Sequence, residues 1–468
     1  MNELTGRIEA IDAAVWQPFV MPLVLLIVGG WLTYRTGFVQ IRHFGTSVKM
    51  SLSGMFAGKD QKEGTISSFQ ALSTALAATV GNGNIGGVAT AILIGGPGAV
   101  FWMWMCATVG MATKFSEALL GVHFRVRTEK GELASGPMYY IQQGIPNKTA
   151  GKWLAMAFAF FGMCAALFGT GNMAQSNTVA RTAVSAMDLI FGITMPTWIP
   201  GLVITVLVGL VLLGGIKRIA STSEKLVPAM IILYMVVTIT FILINITALP
   251  GVLLHIVQEA FTPTSAVGGF AGASVAQSIQ AGVSRGVLSN EAGLGSSPIA
   301  HGIANVKHPV EQGTVGVFEV WMDTIVICTC TAFVILESGL WTEARFQGAS
   351  GDLTAAALST QIPYASAVVA ICSFLFGFST LIGWCYYGEK CFEFLFGSRM
   401  VTTYRAIFVA LIMVGAVVSV PLVWALGTLL NGFMALPNLI GLAFLSGTVA
   451  KLTKDYFSGR KEMTVREI

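Results

Sequence analysis

Long apolar runs such as Leu23–Trp31 and Leu202–Leu213 recur along the chain, with polar or charged stretches between them. With their flanks they reach the roughly 20 residues that a helix needs to cross a bilayer. Strands of a membrane barrel would alternate over about 10 residues instead. The pattern therefore predicts an all-α polytopic membrane protein with about eleven spans, near 14–34, 68–95, 98–122, 152–175, 195–214, 226–248, 265–287, 314–338, 363–386, 402–421 and 423–449. Leu249–Phe261, with Pro250 at its start and His255 and Glu259 within, is too short to span. It reads as an interfacial external helix. Arg345–Leu353 reads as an exposed loop, and no connection is long enough to fold as a soluble domain.

Composition supports this class. Apolar residues make up 54% of the 468 and charged residues 11%, against about 25% charged in average soluble proteins, and mean hydropathy is +0.74. So few charges cannot cover a water-facing surface, and the bilayer has to be the solvent. Cys106, Cys164, Cys328, Cys330, Cys372, Cys385 and Cys391 show no paired metal-ligand spacing, and their odd number predicts no disulfide framework. Met1–Ala14 carries mixed charge and no small-residue cleavage site follows the first apolar run, which reads as a retained helix.

Charge then sets orientation, because Lys and Arg collect in cytoplasmic connections. The alternate segments 35–67, 123–152, 215–225, 285–313, 387–405 and 450–468 hold 23 of the 27 Lys and Arg. Arg7, Arg181 and Arg345 fall on the other side, and Lys114 lies within a span. The N-terminus is thus expected outside and the C-terminus in the cytoplasm. The net charge of +4 reports topology rather than a nucleic-acid partner. Neither an organic cofactor nor an obligatory protein partner is indicated.

A membrane helix tolerates broken backbone only where protein or a water-filled cavity satisfies the freed amides. The second span carries Gly81-Asn-Gly-Asn84 near its middle, a costly choice for a plain helix at about 1 kcal/mol per glycine against alanine. Close packing through small residues explains Gly86 and Gly87 but not Asn82 and Asn84. A discontinuous helix explains them all. Its second half aims free N–H groups at an anion, and unwound carbonyls of the first half hold a cation. A second Gly-rich span, Val267–Ser284 with Gln277 and Gln280, precedes Ser289-Asn-Glu-Ala-Gly-Leu-Gly-Ser-Ser-Pro298. Two interrupted spans at matching places predict an inverted-repeat transporter: an extra N-terminal helix over 1–45, five-helix repeats over 65–250 and 265–450, and a cytoplasmic tail over 451–468.

The stretches Ala78-Thr-Val-Gly-Asn-Gly-Asn-Ile-Gly-Gly-Val-Ala-Thr-Ala-Ile92, Gly95-Gly-Pro-Gly-Ala-Val-Phe-Trp-Met-Trp104, Ser289-Asn-Glu-Ala-Gly-Leu-Gly-Ser296 and Arg35-Thr-Gly-Phe-Val-Gln40 resemble the alanine or glycine:cation symporter family over nearly the whole chain. The resemblance implies the leucine-transporter-like fold of the amino acid-polyamine-organocation superfamily. It also implies sodium- or proton-coupled symport of a small amino acid across a bacterial or archaeal plasma membrane. Many members resemble Gly-Thr-Gly-Asn at the first break, where this chain has Asn82 in place of the threonine. By the same likeness Asn82 and Gly83 offer N–H groups to a substrate carboxylate. Asn84 becomes an oxygen ligand for an ion, and the backbone at Ala77, Thr79 and Val80 with the Ser379-Thr380 hydroxyls forms a sodium site. For that hydroxyl pair, bonding to the preceding turn of their own helix is the other reading.

Phe168, Asn172 and Gln175 recur at helical spacing on the fourth span and could share a face toward the substrate. Ile279 and Trp384 are placed as walls of the pocket by the family likeness. Lys114 and Glu117, three apart, are expected to pair and snorkel. Glu319 and Asp323, four apart, either shape a cation path or bond a broken neighbour. Neither 77–88 nor 267–284 contains Asp or Glu, so neutral oxygens are expected to hold the coupling ion. That favours sodium, with a proton carried on Asp323 as the alternative. A channel would need a selectivity ring. An intramembrane enzyme is disfavoured, because His43, His123, His255, His301 and His308 form no metal pattern.

Overall fold

The computed structural model describes residues 2–56, 65–128, 131–267, 270–347, 350–418 and 420–459. The tail over 460–468 and the glycines Gly268 and Gly269 lie outside the described residues. The chain opens with α1 (Asn2–Val15), α2 (Met21–Arg35), α3 (Val39–Arg42) and α4 (Phe44–Phe56). Next come α5 (Ser68–Thr79) and α6 (Val88–Gly95), joined through a π-helical turn at Gly83–Gly87 and bent by 50°. Then follow α7 (Gly98–His123), α8 (Pro137–Gly144), α9 (Lys148–Phe168), α10 (Met173–Phe191), α11 (Trp198–Leu212), α12 (Gly215–Ile244) and α13 (Leu249–Glu259). The second half holds α14 (Val275–Asn290), α15 (Pro298–His301), α16 (Pro309–Val320) and α17 (Thr329–Ser338), with a π-helical stretch Trp321–Cys328 between the last two. It closes with α18 (Ser350–Ser359), α19 (Ala365–Phe396), α20 (Val401–Val417) and α21 (Val420–Phe457). Two short pairings, β1 (Ile66–Ser67) parallel to β4 (Ala304–Asn305) and β2 (Val126–Arg127) antiparallel to β3 (Leu133–Ala134), tie connections together.

Among the described residues six helices are long and apolar enough to cross a membrane, and the bent pair Ser68–Thr79 with Gly83–Gly95 makes a seventh. Met21–Arg35 and Trp198–Leu212 are apolar but shorter. Helix α7 packs against α2, α14 and α16 at the centre. The outer helices leave Leu202, Val206 and Leu210 of α11 and Ile232, Val236 and Leu243 of α12 exposed, as hydrocarbon contact requires. Helices α5 and α14 start alike. Ser67 and Gln70 form a capping box on the first, Ser274 and Gln277 on the second, each satisfying two orphan N–H groups.

Several expectations change. The fourth span extends from Lys148 to Asp188 and is interrupted at 169–172. Its second half was hidden by the polar run Gln175-Ser-Asn177. Ser350–Leu353, expected as loop, begins α18, whose Leu353, Thr354, Ala357 and Leu358 are buried. Thr354 Oγ1 donates to the Ile85 carbonyl at 3.1 Å, tying this helix to the first break. Gly348 and Ala349 of that expected loop lie outside the described residues. Within 265–287 the helix starts only at Val275, after a turn closed by Thr264 and Ala273. Gly282 is a packing position: a Cβ there would stand 2.3 Å from the Ala99 carbonyl oxygen of α7. The second interruption therefore falls later, at 291–297, between α14 and α15.

Candidate functional site

The first break follows from backbone chemistry at three residues. Val80 turns extended (φ −74°, ψ 96°) and ends α5. Gly81 N–H then donates to Asn84 Oδ1 at 2.8 Å instead of to the carbonyl one turn back, which leaves carbonyls of the last α5 turn without their helical partner. Asn84 is thereby a cap. Its Nδ2 reaches across to the π-helical stretch of the eighth span, donating to Asp323 Oδ1 at 2.7 Å and to Ser289 Oγ at 3.0 Å. Ser289 Oγ donates in turn to Asp323 Oδ2 at 2.8 Å. π-Helical turns inside α-helices recur at functional sites, and here two of them meet through one amide and one carboxylate.

The second break opens on Glu291, a non-glycine residue at φ 57°, a conformation that costs roughly 1–2 kcal/mol. Surrounding bonds hold it there. Glu291 Oε1 accepts from Trp384 Nε1 at 2.7 Å and Oε2 from Ser296 Oγ at 2.5 Å. Where the two breaks meet, Ala78, Thr79, Gly81, Gly83, Glu291, Thr380 and Trp384 are among the walls of a chamber of about 20 Å³, room for about one water. Outside it lies a vestibule of about 440 Å³ with Asn82, Arg181, Arg285 and Asp352 among its walls.

The predicted residues divide. Gly83, Thr79, Thr380, Gln175 and Trp384 share the chamber. Thr380 Oγ1 lies 3.4 Å from the Ala78 carbonyl, and a Cβ on Gly81 would stand 2.7 Å from that hydroxyl, so glycine permits the approach. Ser379 Oγ donates to Phe376 O of its own helix at 2.9 Å. Ala77, in the last turn of α5, and Val80, at its end, are both buried. Asn82 is held sideways, its Nδ2 donating to Gln175 Oε1 at 3.1 Å and its Oδ1 accepting from Ser373 at 2.6 Å. Asn172 points to α20, donating to Phe408 O at 2.8 Å. Phe168 is 37% exposed and Ile279 packs at the edge of the apolar core; neither lines the chamber.

The buried charges also rearrange. Lys114 does not pair with Glu117; it is fully buried, bonds Ser297 and lies 3.2 Å from Glu319 Oε1. Glu319 Oε2 stands 2.7 Å from His301 Nε2. Glu117 Oε1 instead accepts from Gly293 N and Gly295 N at 3.1 Å each and from Asn438 Nδ2 at 2.6 Å, fixing the second break. Arg285, counted with an inner connection, sits inside α14 and faces the vestibule. Glu291 and Arg285 line the chamber as well, and the sequence pattern points to neither. Glu291 lay inside a recognised motif, but its backbone geometry has no signature in sequence. The described residues contain no cluster of three His, Cys, Asp or Glu that could hold a metal ion; the residues lining the chamber that carry side-chain oxygens are Thr79, Thr170, Gln175, Glu291 and Thr380.

A manganese transporter of Eremococcus coleocola has a similar structure, with a TM-score of 0.51 at 15% identity over 91% of this chain and 90% of that one. It shares the leucine-transporter-like fold. In sequence, the sodium/alanine symporter AgcS of Methanococcus maripaludis is 44% identical over 98% of both chains. The probable sodium/glutamine symporter GlnT of Bacillus subtilis is 40% identical over 98% of this chain and 92% of its own. The profile of the sodium:alanine symporter family matches residues 1–468. Two broken helices facing each other, on a chain matched from end to end by that profile, make this protein a member of the sodium:alanine symporter family.

Proposed function

We propose that the chain carries a small neutral amino acid, alanine or glycine, inward together with sodium by alternating access. In this reading it is a multi-pass plasma-membrane protein with eleven crossings, an external N-terminus and a cytoplasmic C-terminus, and its ten core spans form a five-plus-five inverted repeat. The observation that carries the reading is the meeting of the break at Val80–Asn82 with the break at Glu291 in one chamber walled by Thr380 and Trp384. Free N–H groups around Asn82 and Gly83 suit a substrate carboxylate. Carbonyls of Ala77, Thr79 and Val80 with the Thr380 hydroxyl suit a hard monovalent cation. Trp384 lies against Gly171, where a Cβ would meet its ring at 2.7 Å, and as a wall of the chamber its indole supports a cargo with a short side chain. Relatives named for alanine and for glutamine share the family, so cargo follows from the pocket rather than from membership.

The test is uptake of labelled alanine and glycine into proteoliposomes under an inward sodium gradient, against equal potassium and against an inward proton gradient. Accumulation with sodium alone is the expected result. Accumulation driven by protons without sodium would replace sodium by a proton carried on Asp323, and absence of uptake of either amino acid would end the small-amino-acid reading.

A further inference from the structure

The vestibule and the chamber are joined at one cation. Gly87, Arg285 and Trp424 belong to the walls of both, so they form the neck between them. Arg285 lies on α14 six residues before Glu291, and its guanidinium stays charged at any accessible pH. A permanent charge at membrane depth is costly and marks function unless it is paired. Among the described residues no carboxylate lies within ion-pair distance of Arg285; the pairs formed involve Lys114, His301, Arg345, Lys390 and Arg405. Asp12 of α1 acts on it only as a more distant charge. The other vestibule arginine, Arg181, donates to Asn177 Oδ1 at 3.2 Å. Below the neck, the Glu291 carboxylate is already bonded through both oxygens.

A planar donor fork left without an ion-pair partner, on the wall shared by the vestibule and the chamber, suits a carboxylate passing inward. We propose that Arg285 receives the carboxylate of the incoming zwitterion at the neck and passes it to the N–H groups of the first break. The assignment rests on the amino-acid transport reading above. It gives the vestibule a chemical selectivity that the breaks alone do not supply: a neutral amine or an amide lacks the group that Arg285 binds. Asp12, which stabilises the guanidinium from a distance, is not part of this receptor.

Two measurements decide it. In wild-type protein in proteoliposomes, phenylglyoxal added outside is expected to modify Arg285, read by peptide mapping. Saturating alanine is expected to protect it while alaninamide does not. Equal labelling with and without alanine, or equal protection by alaninamide, overturns the proposal. In sodium-driven uptake, Arg285→Gln is expected to raise external KM about ten- to a hundredfold, the loss of one charge-assisted contact, with the maximal rate changed little. Arg285→Lys is expected to recover part of the loss, and Asp12→Asn to keep the wild-type KM. An unchanged KM in Arg285→Gln, or the same KM rise in Asp12→Asn, makes Arg285 a structural latch instead. Wild-type uptake reports on the transport reading by itself, whereas the labelling compares alanine with alaninamide at one residue and stands whether or not uptake is sodium-driven.

Discussion

Trp384 Nε1 donates a 2.7 Å hydrogen bond to Glu291 Oε1, which ties the long helix α19 to the first residue of the second break. Both residues are buried, and Glu291 is held in a left-handed conformation at that point. Trp384→Phe keeps an aromatic ring and removes the donor. A buried acceptor left unpaired costs about 1–3 kcal/mol, so a lower melting temperature in detergent and a weaker apparent cargo affinity are expected together. Trp384→Ala also opens volume, and each added methylene buried there is worth about 0.8 kcal/mol, so competition by larger neutral amino acids is expected to strengthen. An unchanged competition profile removes Trp384 from the pocket wall. Ile279→Ala is expected to leave the profile as it is, because Ile279 lines neither cavity.

Thr380 and Ser379 are adjacent but serve different ends. Thr380 Oγ1 faces the Ala78 carbonyl across the chamber, whereas Ser379 Oγ bonds its own helix. Thr380→Ala is expected to weaken sodium and cargo binding together, since linkage makes the coupling reciprocal; Ser379→Ala is expected to alter neither by more than a small factor. Asp323→Asn is expected to keep cargo binding sodium-dependent. Sodium-independent binding that is lost in Asp323→Asn across the pH range would move the coupling to the carboxylate. Equilibrium binding by calorimetry at several sodium concentrations separates these outcomes.

The first break was legible because glycine and asparagine at mid-membrane have no packing explanation, and the backbone does interrupt at Val80–Asn82. The second was misplaced for the same reason inverted. Gly282, within the Gly-rich stretch Val267–Ser284, also looks like part of a break, yet it lies where α14 packs closely on Ala99 of α7. The real break begins with an acid, which removes the premise that no carboxylate stands at either break. Local spacing misled in the third span as well. Lys114 and Glu117 are near in sequence, but Lys114 found Glu319 of another helix, which periodicity cannot reveal. Arg285 falls among the inner charges because the segment 285–313 begins inside the span 265–287, whereas α14 keeps it helical as far as Asn290.

The Lys114–Glu319 pair, with neither side chain exposed, gives a stability test. Removing one partner of a buried pair leaves an uncompensated charge, at a cost of about 3–5 kcal/mol. Lys114→Met is expected to lower the melting temperature sharply, and Lys114→Met with Glu319→Gln to recover much of it, with His301 still able to bond the amide. A double variant no more stable than the single one would show that the two groups do not depend on each other.

The charge asymmetry of the connections makes orientation testable without any transport assay. A fluorescent reporter active only in the cytoplasm, fused after Ile468, is expected to be bright, and a periplasm-active enzyme fused ahead of Met1 is expected to be active. The same side for both fusions would remove the odd number of crossings.

Asp12 on α1 provides a pH test. An aspartate ordinarily titrates near 3.8; here burial lifts Asp12 to about 6, with a Thr428 hydrogen bond and then the Arg285 charge pulling the other way. Helix α1 packs on α21, where Trp16 Nε1 donates to the Thr428 carbonyl at 3.1 Å. The docked helix therefore binds a proton at Asp12 more tightly than the undocked chain does, so protonation favours docking. The contribution is complete below about pH 4 and is lost as pH rises through about 6. Asp12→Asn is neutral at every pH and is expected to flatten this dependence, leaving the variant more stable than wild type at pH 7.5 and similar to it at pH 4. Hydrogen exchange of the α1 amides, followed from pH 4 to 8 after correction for intrinsic rates, reads docking directly. Identical protection profiles for wild type and Asp12→Asn would mean that Asp12 keeps its charge in the docked state and that the Thr428 bond and the Arg285 attraction together outweigh burial.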